Sequence, residues 1–209
     1  MLELKNVKKQ YDNRLIIEVP AFEIENGIYW IKGANGSGKT TLLKMIAGLL
    51  NFEGDILLND TSIKNSSLNY RKMISWAEAE PLYPKFLRGT DLLKLYMNIR
   101  KASQTNVDDL ISLLGMNSYI DEATGSYSAG MLKKLSLLLA FIGDTKLIVL
   151  DEPLITLDPE AFTNVCNMII ERHTTSQTMF LMSSHQDLDM QLIHSAKELI
   201  VNNQNVIRA

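Results

Sequence analysis

Residues 2–9 alternate apolar and polar, and so do Leu15 to Ile24. A period of two puts one face of a strand on a core and the other in water, so both predict strands of a half-exposed sheet. Tyr11-Asp12-Asn13-Arg14 predicts the turn between them. Ile28-Tyr29-Trp30-Ile31 is a short apolar run and predicts a buried strand. Leu42, Leu43, Ile46, Ala47 and Leu50 then fall on one face of a helix. Gly54 to Asn59 predicts a short strand turned by Asn59-Asp60, and residues 61–73 a polar loop with a short helix. Ile74 to Ala77 predicts a core strand. The pattern breaks at residues 78–88, where Pro81 and Pro84 predict an irregular loop. That loop nonetheless carries Tyr83, Phe86 and Leu87, which need something to pack on.

Thr90 is predicted to cap a helix running to about Lys101, and a second helix runs from about Val107 to Leu114, ended by Gly115. Ser128-Ala129-Gly130 opens a third helix with Leu132, Leu135, Leu138, Leu139 and Ile142 inward and Lys133 and Lys134 outward. Lys146 to Leu150 predicts a strand buried on both faces, as in a parallel sheet, and it ends in Asp151-Glu152. Asp158 and Pro159 begin a helix to about His173, as N-cap and first turn. Thr178 to Ser183 predicts another core strand, with His185 just past its end and a short helix after it. Residues 198–207 close the chain as a hairpin. The fold class expected is α/β: a mainly parallel sheet, an N-terminal antiparallel β-subdomain, and an inserted helical subdomain. The core would comprise residues 1–79 and 143–209, and the helical insert residues 80–142, within a single domain of 209 residues.

Composition narrows this picture only a little. With 46% hydrophobic and 22% charged residues, the chain has material for a real core. A formal charge of −3 offers no general electrostatic reason to bind nucleic acid. The single cysteine, Cys166, excludes an internal disulfide and shares a helical face with Phe162, Val165, Ile169 and Ile170, which makes it a core residue. Residues 2–7 show no charged-then-apolar signal segment. Leu137 to Gly143 is among the longest apolar runs and is far too short to span a bilayer.

The chemistry concentrates in Gly33-Ala34-Asn35-Gly36-Ser37-Gly38-Lys39-Thr40, which fits the phosphate-binding pattern G-x-x-x-x-G-K-[ST]. A predicted strand precedes it and a predicted helix follows. Glycines let successive N–H groups converge on one anion as a nest. The helix beginning near Lys39 adds unpaired N–H groups and the positive end of its dipole. Lys39 supplies an ammonium for the β- and γ-phosphates, and the Thr40 hydroxyl suits Mg²⁺. A Gly-rich turn with an incidental lysine is the bland alternative, and the strand–loop–helix context argues against it. In open α/β sheets, ligands sit beyond the carboxyl ends of the strands. Two further strand ends carry polar groups, Asp151-Glu152 and His185. Asp151 suits Mg²⁺, and Glu152 suits orienting or deprotonating a water. Alone, each would read as a solvated loop residue. His173 and His194 have no such context.

These motifs together resemble the ATP-binding subunit of an ABC transporter, a P-loop NTPase, over nearly the whole chain. Gly33 to Thr41 matches the Walker A loop, and Leu147 to Glu152 with Pro153 matches Walker B and its catalytic glutamate. Leu157-Asp158 matches the D-loop, Ser184-His185 the switch histidine, and Tyr11 the adenine-stacking aromatic. The resemblance implies ATP and Mg²⁺ as cofactors, with Lys39, Glu152 and His185 catalytic and Thr40 and Asp151 at the metal. It implies nucleotide contacts from Tyr11, Gly33, Asn35, Gly36, Ser37, Gly38, Lys39, Thr40, Thr41 and Asp158. It further implies that Ser128 and Gly130 reach the nucleotide held by a second ATP-binding subunit, identical or not. A separate transmembrane permease subunit is implied, placing the protein on the cytoplasmic face of the membrane, with exposed Tyr83 and Phe86 in the 78–101 region as the docking face. Two departures stand out. The usual Leu-Ser-Gly-Gly-Gln signature is Tyr127-Ser128-Ala129-Gly130-Met131, and Met131 cannot make the glutamine's contacts. The usual glutamine after the Ile74–Ala77 strand falls near Ala79, so either Glu78 or Glu80 replaces it or the contact is missing. A soluble ABC-type ATPase of DNA repair or translation, and a nucleotide-responsive module with little turnover, are the rival readings.

Overall fold

The structure, a computed structural model, describes residues 1–184 and 195–209. A four-stranded antiparallel sheet runs in the order β2-β1-β4-β5, from β1 (Leu2–Tyr11), β2 (Arg14–Ile24), β4 (Glu53–Leu58) and β5 (Thr61–Ser62). Register follows the alternating pattern: Leu2 opposes Ile24, Leu4 opposes Phe22 and Val7 opposes Val19. A six-stranded sheet runs in the order β10-β9-β3-β8-β7-β6. Its strands are β3 (Ile28–Lys32), β6 (Ile74–Ala77), β7 (Leu147–Leu150), β8 (Met179–Ser183), β9 (Lys197–Asn202) and β10 (Asn205–Arg208). All its pairings are parallel except the terminal β9–β10 hairpin. The predicted class therefore holds, with an antiparallel sheet beside a mainly parallel one.

Each central strand divides its side chains between two cores, as a pleat of period two requires. Ile28, Trp30, Ile148, Leu150, Phe180 and Met182 face one core, shared with the helices α3 (Gly89–Arg100), α5 (Ala129–Phe141) and α6 (Pro159–Ser176). Tyr29, Ile31, Leu147, Val149, Met179 and Leu181 face the other, shared with the antiparallel sheet and α1 (Lys39–Ile46). All four residues of β7 are fully buried. At about 1.5–3 kcal/mol for each buried aliphatic side chain, that strand alone contributes at most roughly 6–12 kcal/mol.

The remaining helices are α2 (Ser67–Lys72) and α4 (Gln104–Leu113), with a single 3₁₀ turn at Thr124–Ser126. Boundaries shift where caps lie. Helix α3 starts at Gly89 because the Asp91 carboxylate accepts from the Arg88 N–H at 2.9 Å, so Thr90 is not the cap. Helix α4 starts earlier than predicted, with Ser103 as N-cap accepting from the Asn106 N–H. Helix α6 begins as expected: Asp158 caps it, accepting from the Ala161 N–H at 2.9 Å. It runs past His173 and ends at Gln177 in a left-handed conformation. The parallel order β3-β8-β7 sets three neighbouring carboxyl ends side by side, and the chemistry lies there.

Candidate functional site

Between β3 and α1 the chain must turn tightly under Val201. A Cβ at Gly33 would lie 2.5 Å from the Val201 carbonyl oxygen and 2.6 Å from Ser37 Oγ, so only glycine fits. Gly38 adopts φ 105°, left-handed, and ends the loop as the N-cap of α1 without any side-chain cap bond. The first N–H groups of α1 thus keep their pull on an anion. Lys39 is almost fully buried, and its Nζ donates to the Gly33 and Ala34 carbonyls at 2.7 and 3.1 Å. Burial pushes this ammonium below its usual value, while Glu152 and Asp151 oppose the shift. Ser37 Oγ is buried with no partner among the described residues. A cavity of about 250 Å³ opens over the loop, lined by Gly36 to Thr41 together with Arg14 and Ile16 of β2. An orphaned hydroxyl, an ammonium and a glycine nest around one cavity fit a polyphosphate.

The other strand ends close on this loop. Asp151 is 1% exposed, and its Oδ1 accepts from Thr40 Oγ1 at 3.2 Å and from Ser183 Oγ at 2.5 Å. Ser183 Oγ also accepts the Glu152 N–H at 3.1 Å, with Glu152 at φ 49°. So the loop after β3 and the acidic end of β7 meet as expected, and Ser183 at the end of β8 joins the acidic pair to the sheet. One carboxylate and one hydroxyl form a hard oxygen set of the kind Mg²⁺ uses alongside substrate phosphates. His185 lies outside the described residues.

The remaining expected residues divide. Tyr11 sits at the end of β1 with the Lys9 ammonium 4.8 Å over its ring, and it does not line the cavity. Ser128 caps α5, accepting from the Met131 N–H at 3.2 Å, and Met131 sulfur accepts the Ser128 N–H at 3.4 Å. The methionine thus returns a weak contact to its own N-cap. Gly130 lies against Thr156, whose carbonyl oxygen a Cβ would meet at 3.0 Å. Asp158 pairs with Lys134 at 2.7 Å; its own cap bond, then Lys134, hold its carboxyl below the usual range. Glu78 pairs with Lys44 on α1 at 3.0 Å, whereas Glu80 is exposed.

Two expectations need correction. Lys133 does not face out. It is 1% exposed, and its Nζ donates to the carbonyls of Glu78, Ala79 and Asp151. Desolvation pushes this lysine down to about 8, against the pull of Asp151, Glu152, Glu78 and Glu80. Tyr83 is not exposed either. It packs on the helical core, where burial pushes its hydroxyl up to about 12. The exposed apolar residues of that loop are Leu82, at 89%, and Phe86, at 80%. Sequence reasoning also missed Arg14 and Ile16, although their shared face of β2 was a usable signal, and Ser183, which hid inside an apolar strand. A larger cavity of about 580 Å³ lies between α4 and α6, lined by Arg100, Asp109 and Arg172 among others, and shares no residue with the phosphate loop.

A glycine phosphate loop and an acidic strand end joined on a parallel sheet define a P-loop nucleotide-binding domain. Residues 20–155 match the ABC transporter family, and the chain belongs to it. An uncharacterized ABC transporter ATP-binding protein, YhcH of Bacillus subtilis, is 31% identical over 92% of this chain, which spans 64% of that relative. The cytochrome c biogenesis ATP-binding export protein CcmA of Legionella pneumophila is 32% identical over 91% of this chain and 95% of its own length. Among solved structures, the ATP-binding subunit of an ABC transporter superposes with TM-score 0.88 at 23% identity, covering 99% of this chain and 88% of that one. The ATP-binding cassette MJ0796, a dimer bound to ADP and Pi, superposes with TM-score 0.82 at 16% identity, covering 100% of this chain and 97% of that one. Among the described residues no helix is long and apolar enough to cross a membrane.

Proposed function

We propose that this chain binds and hydrolyses ATP to drive transport through a separate membrane-spanning partner. The observation that carries this reading is the 3.2 Å contact between Thr40 and Asp151, which brings the phosphate loop and the acidic strand end together. The loop N–H groups and Lys39 would grip the β- and γ-phosphates, and Thr40 and Asp151 would hold Mg²⁺. The ion would supply charge neutralisation across the phosphate oxygens. Glu152 would orient and deprotonate the attacking water at the exit of β7, beside the loop. Two copies would face each other head to tail, so that Ser128 and Gly130 of one close over the nucleotide of the other, with Asp158 and His185 completing each site. Tyr11 would stack on the base.

The names of relatives support transport rather than DNA repair or translation: CcmA is an export protein, and SrtF of Streptococcus pyogenes, 30% identical over 88% of this chain and 80% of its own length, is a lantibiotic transport protein. In our reading residues 80–142 form the helical subdomain and the 78–101 region meets the permease at the cytoplasmic face, with Leu82 and Phe86 as its exposed apolar contacts. The test is ATP binding and phosphate release by the purified chain, alone and with its membranes. Binding that needs Lys39 and turnover that needs Glu152 are expected. A chain that binds no ATP refutes the proposal.

A further inference from the structure

Lys133 is an expensive residue where it stands. Helix α5 is otherwise apolar at its buried positions from Leu135 to Phe141, apart from Ser136, and a leucine or methionine at 133 would fill the same space without desolvating a charge. No carboxylate makes an ion pair with it among the described residues. Instead its three N–H donors are spent on three backbone carbonyls: Glu78 at 2.9 Å, Ala79 at 3.1 Å and Asp151 at 2.9 Å. The first two form the root of the 78–88 loop, just past β6. The third is Asp151, the residue just past β7. One turn further along α5, Ser136 Oγ accepts the Glu78 N–H at 3.2 Å. The Glu78 carboxylate meanwhile reaches Lys44 on the phosphate helix. The loop root is thus gripped from α5 at two positions and from α1 at one.

We propose that Lys133 is a positioning residue that clamps the root of the 78–88 loop to the metal-holding end of β7, so that the two segments move as one unit. It rests on the function proposed above. The loop presents Leu82 and Phe86 to a partner, and Asp151 holds Thr40 and Ser183, so a displacement at the loop root reaches Asp151 and Glu152 through one ammonium. The helix that carries Lys133 begins at Ser128 and Gly130, so closure over a second copy's nucleotide acts on the same clamp. Backbone carbonyls suit this task, because their positions report strand ends rather than side-chain rotamers. Lys133 touches no reacting atom in this scheme.

The test uses the full chain and two substitutions. Lys133→Met keeps length and removes all three donors, while Lys133→Arg keeps the charge and donors. Hydrogen exchange is measured on peptides covering 78–88 and 150–154, with 2–11 as reference, alongside ATP affinity and steady-state hydrolysis with Mg²⁺. In Lys133→Met, exchange should rise about tenfold or more in both segments together, with 2–11 unchanged. ATP affinity and KM should stay within about threefold while kcat falls about tenfold or more, and Lys133→Arg should restore most of the protection and rate. Unchanged exchange, a rise in only one segment, or an unaltered kcat would overturn the clamp. Should Lys133→Met fail to fold, Lys133→Gln, with two donors, must show intermediate exchange in both segments; wild-type exchange there overturns the proposal. A wild-type chain that binds no ATP would sink the proposed function, while the exchange data would still decide the clamp.

Discussion

Ser183→Ala removes one oxygen from the middle of the site, and its cost can be worked out from the contacts. Ser183 is fully buried, its Oγ donates to the Asp151 carboxylate at 2.5 Å, and it accepts the Glu152 N–H at 3.1 Å. A hydrogen bond to a charged group contributes about 1.5–3 kcal/mol, and a buried donor left without a partner costs about 1–3 kcal/mol. Glu152 is only half-buried, so water recovers part of the second loss. The expected destabilisation is about 2–4 kcal/mol. A comparison lies two strands away: Ser75 is also buried, but its Oγ has no partner among the described residues. Ser75→Ala deletes an unsatisfied hydroxyl and should be neutral or stabilising by up to about 1 kcal/mol. Urea unfolding without nucleotide, followed by the fluorescence of Trp30 and Trp76, measures both. With a slope of about 2 kcal/mol per molar urea, the Ser183→Ala midpoint should fall by about 1–2 M. If the two variants unfold within about 0.5 kcal/mol of each other, Ser183 does not hold the acidic pair.

Lys39→Ala should weaken ATP binding about tenfold to a hundredfold, since it removes charge-assisted bonds worth about 1.5–3 kcal/mol; calorimetric affinity within twofold of wild type would take the loop out of the site. Glu152→Gln should keep ATP affinity and lose about 10²–10⁴ in turnover, and should accumulate an ATP-dependent dimer visible by light scattering; wild-type phosphate release would reject Glu152 as the base. Phe86→Asp with Leu82→Asp should release the membrane partner in co-purification and leave ATP affinity unchanged; a partner that still co-purifies would move the docking face elsewhere. Burial pushes the Cys166 thiol up to about 11 from 9. Its neutral form is therefore favoured by folding, and the stability it adds is complete below pH 9 and lost as pH rises through 11. Cys166→Ala should flatten that part of the stability–pH curve, and an identical slope in both proteins would contradict the assignment.

The phosphate loop, the acidic strand end and the two-core sheet could be read from local patterns because their physics is local. Gly33 to Lys39 carries its glycines and lysine at fixed spacing between a strand and a helix pattern, and a run such as Leu147 to Leu150 is stable only when covered on both faces. Lys133 was misread because helical spacing assumes that a charge seeks water. Helix α5 is buried almost all round from Leu135 to Phe141, so its first turns have little solvent to offer on that side. The partners that replace water are carbonyls 55, 54 and 18 residues away in sequence, which no pattern within α5 can announce. Tyr83 failed for a related reason: a loop with two prolines looks exposed, yet this tyrosine packs on the helical core while Leu82 and Phe86 take the surface.

The same contrast separates two kinds of contact around the site. The residues that sequence reading singled out and the fold brings together, Lys39, Thr40 and Asp151, are those proposed to meet the ligand. The residues missed, Ser183 and Lys133, bind those side chains or their backbone to other segments. Ser183 ties Asp151 and Glu152 inward to β8, inside the sheet. Lys133 ties the same β7 end outward to a surface loop and to the N-terminal turn of α5. Breaking the inner tie should therefore cost stability above all, whereas breaking the outer tie should cost turnover with most of the stability kept. If Ser183→Ala and Lys133→Met instead lose stability and kcat in equal proportion, the inner and outer ties are one undivided network, and the division of labour drawn from their partners is wrong.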